Sequence, residues 1–148
     1  MKDTKRTYCN EVSFGIDARE KDYLYVITSQ IPGSGNGLFT AIPIFKDDII
    51  ALFRGEQLTH KEAQKRAAKA ENDYFISMPD GSTLDSMNVP CFAKYANDCE
   101  GFTKTKFKNN AKITLDEHDN VCIVAIKSIK AGAEIFCSYG KPYWKARH

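Results

Sequence analysis

What restricts this chain most is its punctuation. Runs of β-branched and aromatic residues recur along it, and Gly, Pro, Asp or Asn interrupts them every eight to twelve residues. Residues 23–28 form the first such run and residues 49–53 the second. Residues 74–78 and 82–85 meet through Pro79-Asp80-Gly81, whose Asp-Gly tip is a hairpin signal. Residues 111–115 and 121–126 pair in the same way across 116–120, and a run at 133–138 closes the series. Many short strands of this kind predict a mainly β domain. A single helix interrupts them. Thr59 and Glu62 have the spacing of a capping box, in which the threonine oxygen accepts an early helical amide and the glutamate reaches back to the cap. A helix over residues 60–70 follows, favoured by Ala63, Ala67, Ala68 and Ala70, with Lys61, Lys65, Arg66 and Lys69 expected on its solvated side.

Length allows one domain: 148 residues bury about two thirds of their unfolded surface without a disulfide or metal staple. The expected division is a lead-in over residues 1–22, the domain over 23–144 and a tail over 145–148. No apolar run reaches the ~20 residues of a membrane span, and the first residues carry charge instead of a secretory core. An intracellular setting with no membrane role is the expectation. The five cysteines are widely spaced, without Cys-x-Cys or Cys-x-x-Cys pairs, so free and mostly buried thiols are expected. A net charge of +2 does not argue for nucleic-acid binding. Lys104, Lys106, Lys108 and Lys112 form the one basic concentration, read as a solvated loop ahead of a phosphate track.

Two features carry chemistry. The loop Pro32-Gly33-Ser34-Gly35-Asn36-Gly37 has three glycines in five positions, which permits positive φ and lets backbone groups approach a ligand. It lacks the long following helix and third glycine of a dinucleotide fingerprint, since Pro43 and strand-like residues follow. The second feature is residues 133–140, a buried strand with Ile135 and Phe136 that runs into Tyr139-Gly140, where a phenol can be presented to a cavity. His60, His118 and His148 stand in polar contexts and are expected at the surface.

In order along the chain stand Gly35-Asn36-Gly37-Leu38-Phe39 with Ile42-Pro43-Ile44; Phe53-Arg54-Gly55-Glu56; Leu84-Asp85-Ser86 through Ala93-Lys94-Tyr95-Ala96-Asn97; and Ile129-Lys130-Ala131-Gly132-Ala133-Glu134-Ile135 through Tyr139-Gly140. Together these blocks, with twelve residues from Asp85 to Asn97, resemble the SET domain of protein lysine methyltransferases that use S-adenosylmethionine. The resemblance implies a mainly β fold of several small sheets with one main helix. In it the segment bearing Tyr139 threads, as a pseudoknot, beneath a loop of the earlier chain and meets the Asn97 segment. It implies that the backbone of Gly33, Ser34, Gly35, Asn36, Gly37 and Leu38 cradles the methionine part of the cofactor. Asn97 would hydrogen-bond the cofactor, with Tyr95 and Asp98 beside it, and Lys94 stands where the family often has an arginine contacting it. Tyr139 would line the channel through which the target lysine meets the methyl group, as catalytic residue. Tyr74 heads the strand where the family often has a channel tyrosine, a core or cross-strand role being equally open. Tyr143 and Trp144 fall where some members set an aromatic against adenine or substrate, or else pack the tail.

That chemistry suits these residue types. Methyl transfer from a sulfonium is an in-line displacement, so positioning supplies much of the rate. The attacking amine must be neutral, and a lysine pKa near ~10.4 makes that cost roughly 4 to 5 kcal/mol at pH 7. An aromatic channel desolvates the ammonium and lowers its pKa, while a tyrosine hydroxyl orients it. The chain departs from the family after Asn97, where histidine and serine are common and Asp98 and Cys99 stand instead, followed by an insertion before Asn109. It also lacks the zinc-binding cysteines that often follow the domain, so no metal is expected. The expected function is a protein-lysine N-methyltransferase acting on a histone in the nucleus, with nucleic acid met only through chromatin. A catalytically weak SET module that binds protein partners is the alternative, and a nucleic-acid-binding β domain is the weakest reading.

Overall fold

The structure is a computed structural model that describes residues 5–7, 15–71, 74–78, 80–100 and 105–138. In chain order the elements are β1 (Lys5–Thr7), β2 (Gly15–Asp17), α1 (Glu20–Tyr23), β3 (Leu24–Thr28), β4 (Asn36–Thr40), β5 (Ile49–Leu52) and β6 (Glu56–Leu58). Then follow α2 (His60–Ala68), β7 (Phe75–Ser77), β8 (Thr83–Asp85), a 3₁₀ turn at Ala93–Tyr95, β9 (Ala111–Leu115), β10 (Val121–Ala125), β11 (Glu134–Ile135) and β12 (Cys137–Ser138).

These strands make three small sheets. The largest has the order β1-β2-β5-β10-β9-β12, the second β11-β4-β3 and the third β6-β8-β7. Each hairpin read from the sequence forms. β9 and β10 pair antiparallel from Val121↔Leu115 to Ala125↔Ala111, and β7 pairs with β8 through Ile76↔Leu84. Local chemistry sets their turns: Gly81 takes φ +88°, and Asp116 accepts the amides of His118 and Asn120 at 2.8 and 2.9 Å. Those bonds hold the Asp116 carboxyl below the usual carboxylate range. β10 lies centrally in its sheet and is apolar throughout, with buried residues on both of its faces, Ile123 and Ala125 on one and Cys122 on the other. Leu38, Ile44, Ile50, Ile123 and Ile135 are fully buried there, each contributing about 1.5–3 kcal/mol.

The stretch expected as a lead-in belongs to this architecture. β1 and β2 pair with each other, and Gly15 joins Ile49 of β5 in parallel. Glu20, on α1, accepts the amide of Leu52 at 2.9 Å, and buried Tyr23 donates its hydroxyl to the Ile50 carbonyl at 2.6 Å. Burial and the nearby Glu20 and Asp48 carboxylates push the Tyr23 phenol up from its usual value.

The helix forms as its capping box requires. Thr59 N donates to Glu62 Oε1 at 2.9 Å and Glu62 N to Thr59 Oγ1 at 3.2 Å, which holds the Glu62 carboxyl below the usual range. It ends two residues earlier than residue 70: Ala70 turns into left-handed backbone at φ +59°, and Glu71 N reaches back to Arg66 O at 2.9 Å. One residue departs from the expected solvated face. Arg66 is half-buried, with Nη1 on Asp85 Oδ2 at 2.7 Å and its two nitrogens on Glu56 at 2.9 and 3.0 Å. The reason is Asp85, a carboxylate buried at the end of β8 that requires a cation. The resulting pairs keep the Glu56 carboxyl low and the guanidinium pKa high.

The run at 133–138 is not one strand. β11 pairs with β4 through Ile135↔Leu38, whereas β12 pairs in parallel with β9 through Cys137↔Ala111. Between them Phe136 bridges Asn97. Asn110 makes the change of sheet possible, since its Nδ2 donates to Glu134 O at 3.0 Å and its Oδ1 accepts Phe136 N at 2.9 Å. These bonds pair the Glu134 carbonyl and the Phe136 amide at the crossing.

Candidate functional site

The site begins with the loop between β3 and β4. Its two ends are closed by Ser29 N donating to Gly35 O at 2.8 Å, and Ser34 N to Ile31 O at 3.1 Å tightens its middle. Gly33 and Gly35 sit at φ +79° and +69°, where a side chain would be strained although there is space for one. Gly37 is required for a different reason. A Cβ there would overlap the carboxylate of Glu134.

Glu134 is the residue that sequence reasoning quoted within a motif and left without a role. It is 2% exposed, and its carboxylate accepts Ser29 Oγ at 2.6 Å and Gln30 N at 2.8 Å. Ser29 Oγ in turn accepts Ile31 N at 3.1 Å. A buried carboxylate thus fixes the start of the glycine loop from the strand that precedes Tyr139. The available signal was a charged residue inside an apolar run, which needs a partner when buried.

Asn97 joins the pieces. Its Nδ2 donates to Asn36 O at 3.0 Å, and its carbonyl accepts Cys137 N at 2.7 Å. Glycine loop, Asn97 and the chain entering Tyr139 therefore converge, as the threaded arrangement requires. Among the described residues the amides of Gly33 and Gly35 have no protein acceptor, so the loop presents donors beside Asn97. Those donors suit a ligand's carboxylate or hydroxyls. Ser34 lies on this loop and exposed Asn36 opens β4, whereas Gly37 and Leu38 are buried within that strand, Leu38 as core.

Asp98 turns toward the insertion. Its Oδ1 accepts Asn109 Nδ2 at 2.9 Å and Glu100 N at 2.8 Å, and Asn109 Oδ1 accepts Cys99 N at 2.9 Å. The insertion is docked: Phe107 stacks on Phe136 with ring centroids 5.2 Å apart, over a small core of Ile31, Cys99 and Phe136. Lys106 and Lys108 are exposed, in keeping with a solvated basic loop.

Lys94 lies where its ammonium serves the protein itself. Nζ donates to the carbonyls of Ser86, Met87 and Val89 at 3.0, 3.3 and 3.2 Å. It also stands 5.5 Å from the ring centroids of both Tyr74 and Tyr95. The expected channel tyrosine and the loop after β8 are thus fastened to the 3₁₀ turn that leads into Asn97. A hollow of about 790 Å³ lined by Tyr23, Val26, Arg54, Cys91 and Phe92 touches, of the expected residues among the described ones, Tyr95 alone. Tyr139, Tyr143 and Trp144 lie outside the described residues, as do Cys9 and His148. The other four cysteines are free and buried, and His60 and His118 are exposed. Among the described residues no cluster of three or more side chains could hold a metal ion.

Small sheets, a C-terminal segment that changes sheet and a glycine loop clamped to Asn97 define a SET-type domain. Residues 35–140 match the family described as SET domain, and the chain belongs to that family. Its relatives include the histone-lysine N-methyltransferase mes-2 of Caenorhabditis elegans, 31% identical over 57% of this chain and 11% of that protein. The histone-lysine N-methyltransferase SETD7 of Halocynthia roretzi is 23% identical over 83% of this chain and 33% of its own length. The histone-lysine N-methyltransferase EZ2 of Zea mays is 30% identical over 72% of this chain and 12% of its own. The chain therefore spans a third or less of the length of these relatives.

Proposed function

We propose that this domain is an S-adenosylmethionine-dependent protein-lysine N-methyltransferase that acts on a histone, in the nucleus. The observation that carries the reading is the clamp in which Asn97 holds the glycine loop at Asn36 and the chain entering Tyr139 at Cys137. Core packing of Leu38, Ala96, Ile135 and Cys137 brings the three segments together, and the glycine amides left open beside them suit a cofactor.

The cofactor's sulfonium supplies an electrophilic methyl group when bound. The loop's amides and Asn97 bind and orient it, and Glu134 keeps the loop in place. Tyr139 directly follows β12 and is assigned to the lysine channel, where its ring desolvates the amine and its hydroxyl orients it. It is not assigned as a base, since a phenol is itself mostly protonated at neutral pH. Lys94 acts on the site by holding Tyr74 and the 86–89 loop. The histone substrate rests on the names of the relatives.

The inward bonds of Asp98, at a position where the family commonly has histidine, favour one competitor: a SET module that binds partners with little catalysis. Calorimetry with S-adenosylhomocysteine, then radiolabelled methyl transfer to mixed histones, separates the two. Binding with transfer supports the enzyme, binding without transfer supports the module, and no binding overturns the cofactor site. Tyr139→Phe is expected to lower the transfer rate and leave cofactor affinity intact. Activity is expected to rise between pH 7 and 9 as more substrate amine becomes neutral; a flat profile rejects amine deprotonation as the limiting term.

A further inference from the structure

Two lysine-bearing turns on the flank of the main sheet have no part in this site. Residues 44–48 are zipped to residues 125–129. Ile44 and Ile129 exchange amide and carbonyl at 2.8 Å in both directions, Asp47 N donates to Ala125 O at 2.8 Å, and Ala125 N to Asp48 O at 3.0 Å. The outer side chains of these turns are apolar and cationic. Phe45 is 51% exposed and Ile126 40%, and Lys46, Lys127 and Lys130 are exposed with them. Asp47 is the one exposed carboxylate on either turn, because Asp48 is buried with Oδ2 accepting Phe45 N at 2.8 Å. Ile126 N also donates to Asn110 O at 2.9 Å, and exposed Lys108 precedes Asn110 on the chain that this bond brings to the turn.

Four lysines thus face one carboxylate in a chain whose 21 basic and 19 acidic residues nearly balance. Single exposed apolar side chains are ordinary, but here two stand on turns that are bonded to each other and that also carry exposed Lys46, Lys127 and Lys130. The anchors decide the class of partner. A phosphate backbone needs cations and gains nothing from an aliphatic Ile126. We infer that this flank docks an acidic protein segment carrying apolar side chains: its carboxylates meet Lys46, Lys108, Lys127 and Lys130, and its apolar residues cover Phe45 and Ile126. The inference is independent of the methyltransferase reading. It does bear on it, because Asn110 holds Ile126 with its backbone and Phe136 with its side chain, so a docked segment lies next to the strand that leads to Tyr139.

The test uses fluorescence anisotropy with a labelled peptide of alternating glutamate and leucine. Its comparisons are a glutamate–serine peptide, a lysine–leucine peptide and a short DNA duplex. Two double variants, Phe45→Ser with Ile126→Ser and Lys127→Glu with Lys130→Glu, alter exposed side chains only, and circular dichroism checks that each is folded. The glutamate–leucine peptide is expected to bind best, and each double variant to weaken it about tenfold or more. Loss of both charge and apolar dependence, or no binding at all, overturns the proposal. Tighter binding of DNA that ignores Phe45→Ser with Ile126→Ser overturns it in favour of a phosphate track.

Discussion

Asn97 donates its side-chain amide to the carbonyl of Asn36, 61 residues earlier, at 3.0 Å, while its own carbonyl receives Cys137 N at 2.7 Å. The backbone half of this clamp survives any substitution and the side-chain half does not. Asn97→Ala is therefore expected to release the glycine loop, lowering stability by only about 1 kcal/mol. S-adenosylhomocysteine binding should weaken far more than that, by about tenfold or beyond, because the loop's donors lose their fixed direction. Urea denaturation and calorimetry on one variant give both numbers. Unchanged affinity in a folded variant would show that Asn36 is not part of the cradle.

Glu134 holds the other end of the loop. Glu134→Ala leaves the buried Ser29 Oγ and the part-buried amide of Gln30 without their acceptor. Each orphaned donor costs about 1–3 kcal/mol, so denaturant midpoints should fall sharply. Gly37→Ala attacks the same contact from the opposite side by forcing a methyl group onto the carboxylate, with an expected loss of about 1–3 kcal/mol. In the double variant the clash has no partner. Its loss of stability should be smaller than the sum of the two single losses, and simple additivity would show that the two residues do not meet.

The contrast between Thr59 and Glu134 explains how much of this molecule was legible. Thr59 and Glu62 bond within one helical turn, so spacing alone specified the cap, and the Asp80-Gly81 and 116–120 turns were local in the same sense. The glycine loop, Asn97 and the order of the blocks carried the family, and the clamp between them agrees with the threaded fold. The unread contacts around the site were long-range. Nothing near residue 66 announces Asp85, and nothing near residue 134 announces Ser29, yet both pairs follow from one rule, that a buried carboxylate must find donors. The break of the last strand at Phe136 was hidden for the same reason, since Asn110, which brackets it, lies 26 residues away.

Ala70 offers a gain of stability. It closes α2 in left-handed backbone at φ +59°, with Ala70 N on Ala67 O at 3.0 Å and Glu71 N on Arg66 O at 2.9 Å. An L side chain in that conformation costs about 1 kcal/mol, which glycine does not incur. Ala70→Gly is expected to raise the melting temperature by about 2–4 °C, whereas glycine at Ala67, inside the helix, should lower it. Equal losses from both substitutions would mean that residue 70 is helical in solution.

Alkaline pH should unfold the domain through its thiols. Burial, with the carboxylates of Asp98, Glu134 and Glu100 nearby, pushes Cys99 up to about 12; burial beside Asp116 takes Cys122 to about 11, and burial holds Cys137 well above its usual value. An unfolded cysteine ionises near ~8.5. Below that pH both states hold the proton and the thiols contribute no pH dependence. Between about 8.5 and the folded values of about 11 and 12, the unfolded chain releases protons that the folded one retains, so stability falls as pH rises. Urea titrations at pH 7 and pH 10 should show this drop, and Cys99→Ala should make it smaller whatever its stability at pH 7. The same burial predicts slow reaction of these thiols with a disulfide reagent at pH 8 in a Cys9→Ser background, becoming fast only in denaturant. Rapid labelling of Cys137 itself in the native protein, read by peptide mapping, would mean that its strand opens, and with it the clamp at Asn97.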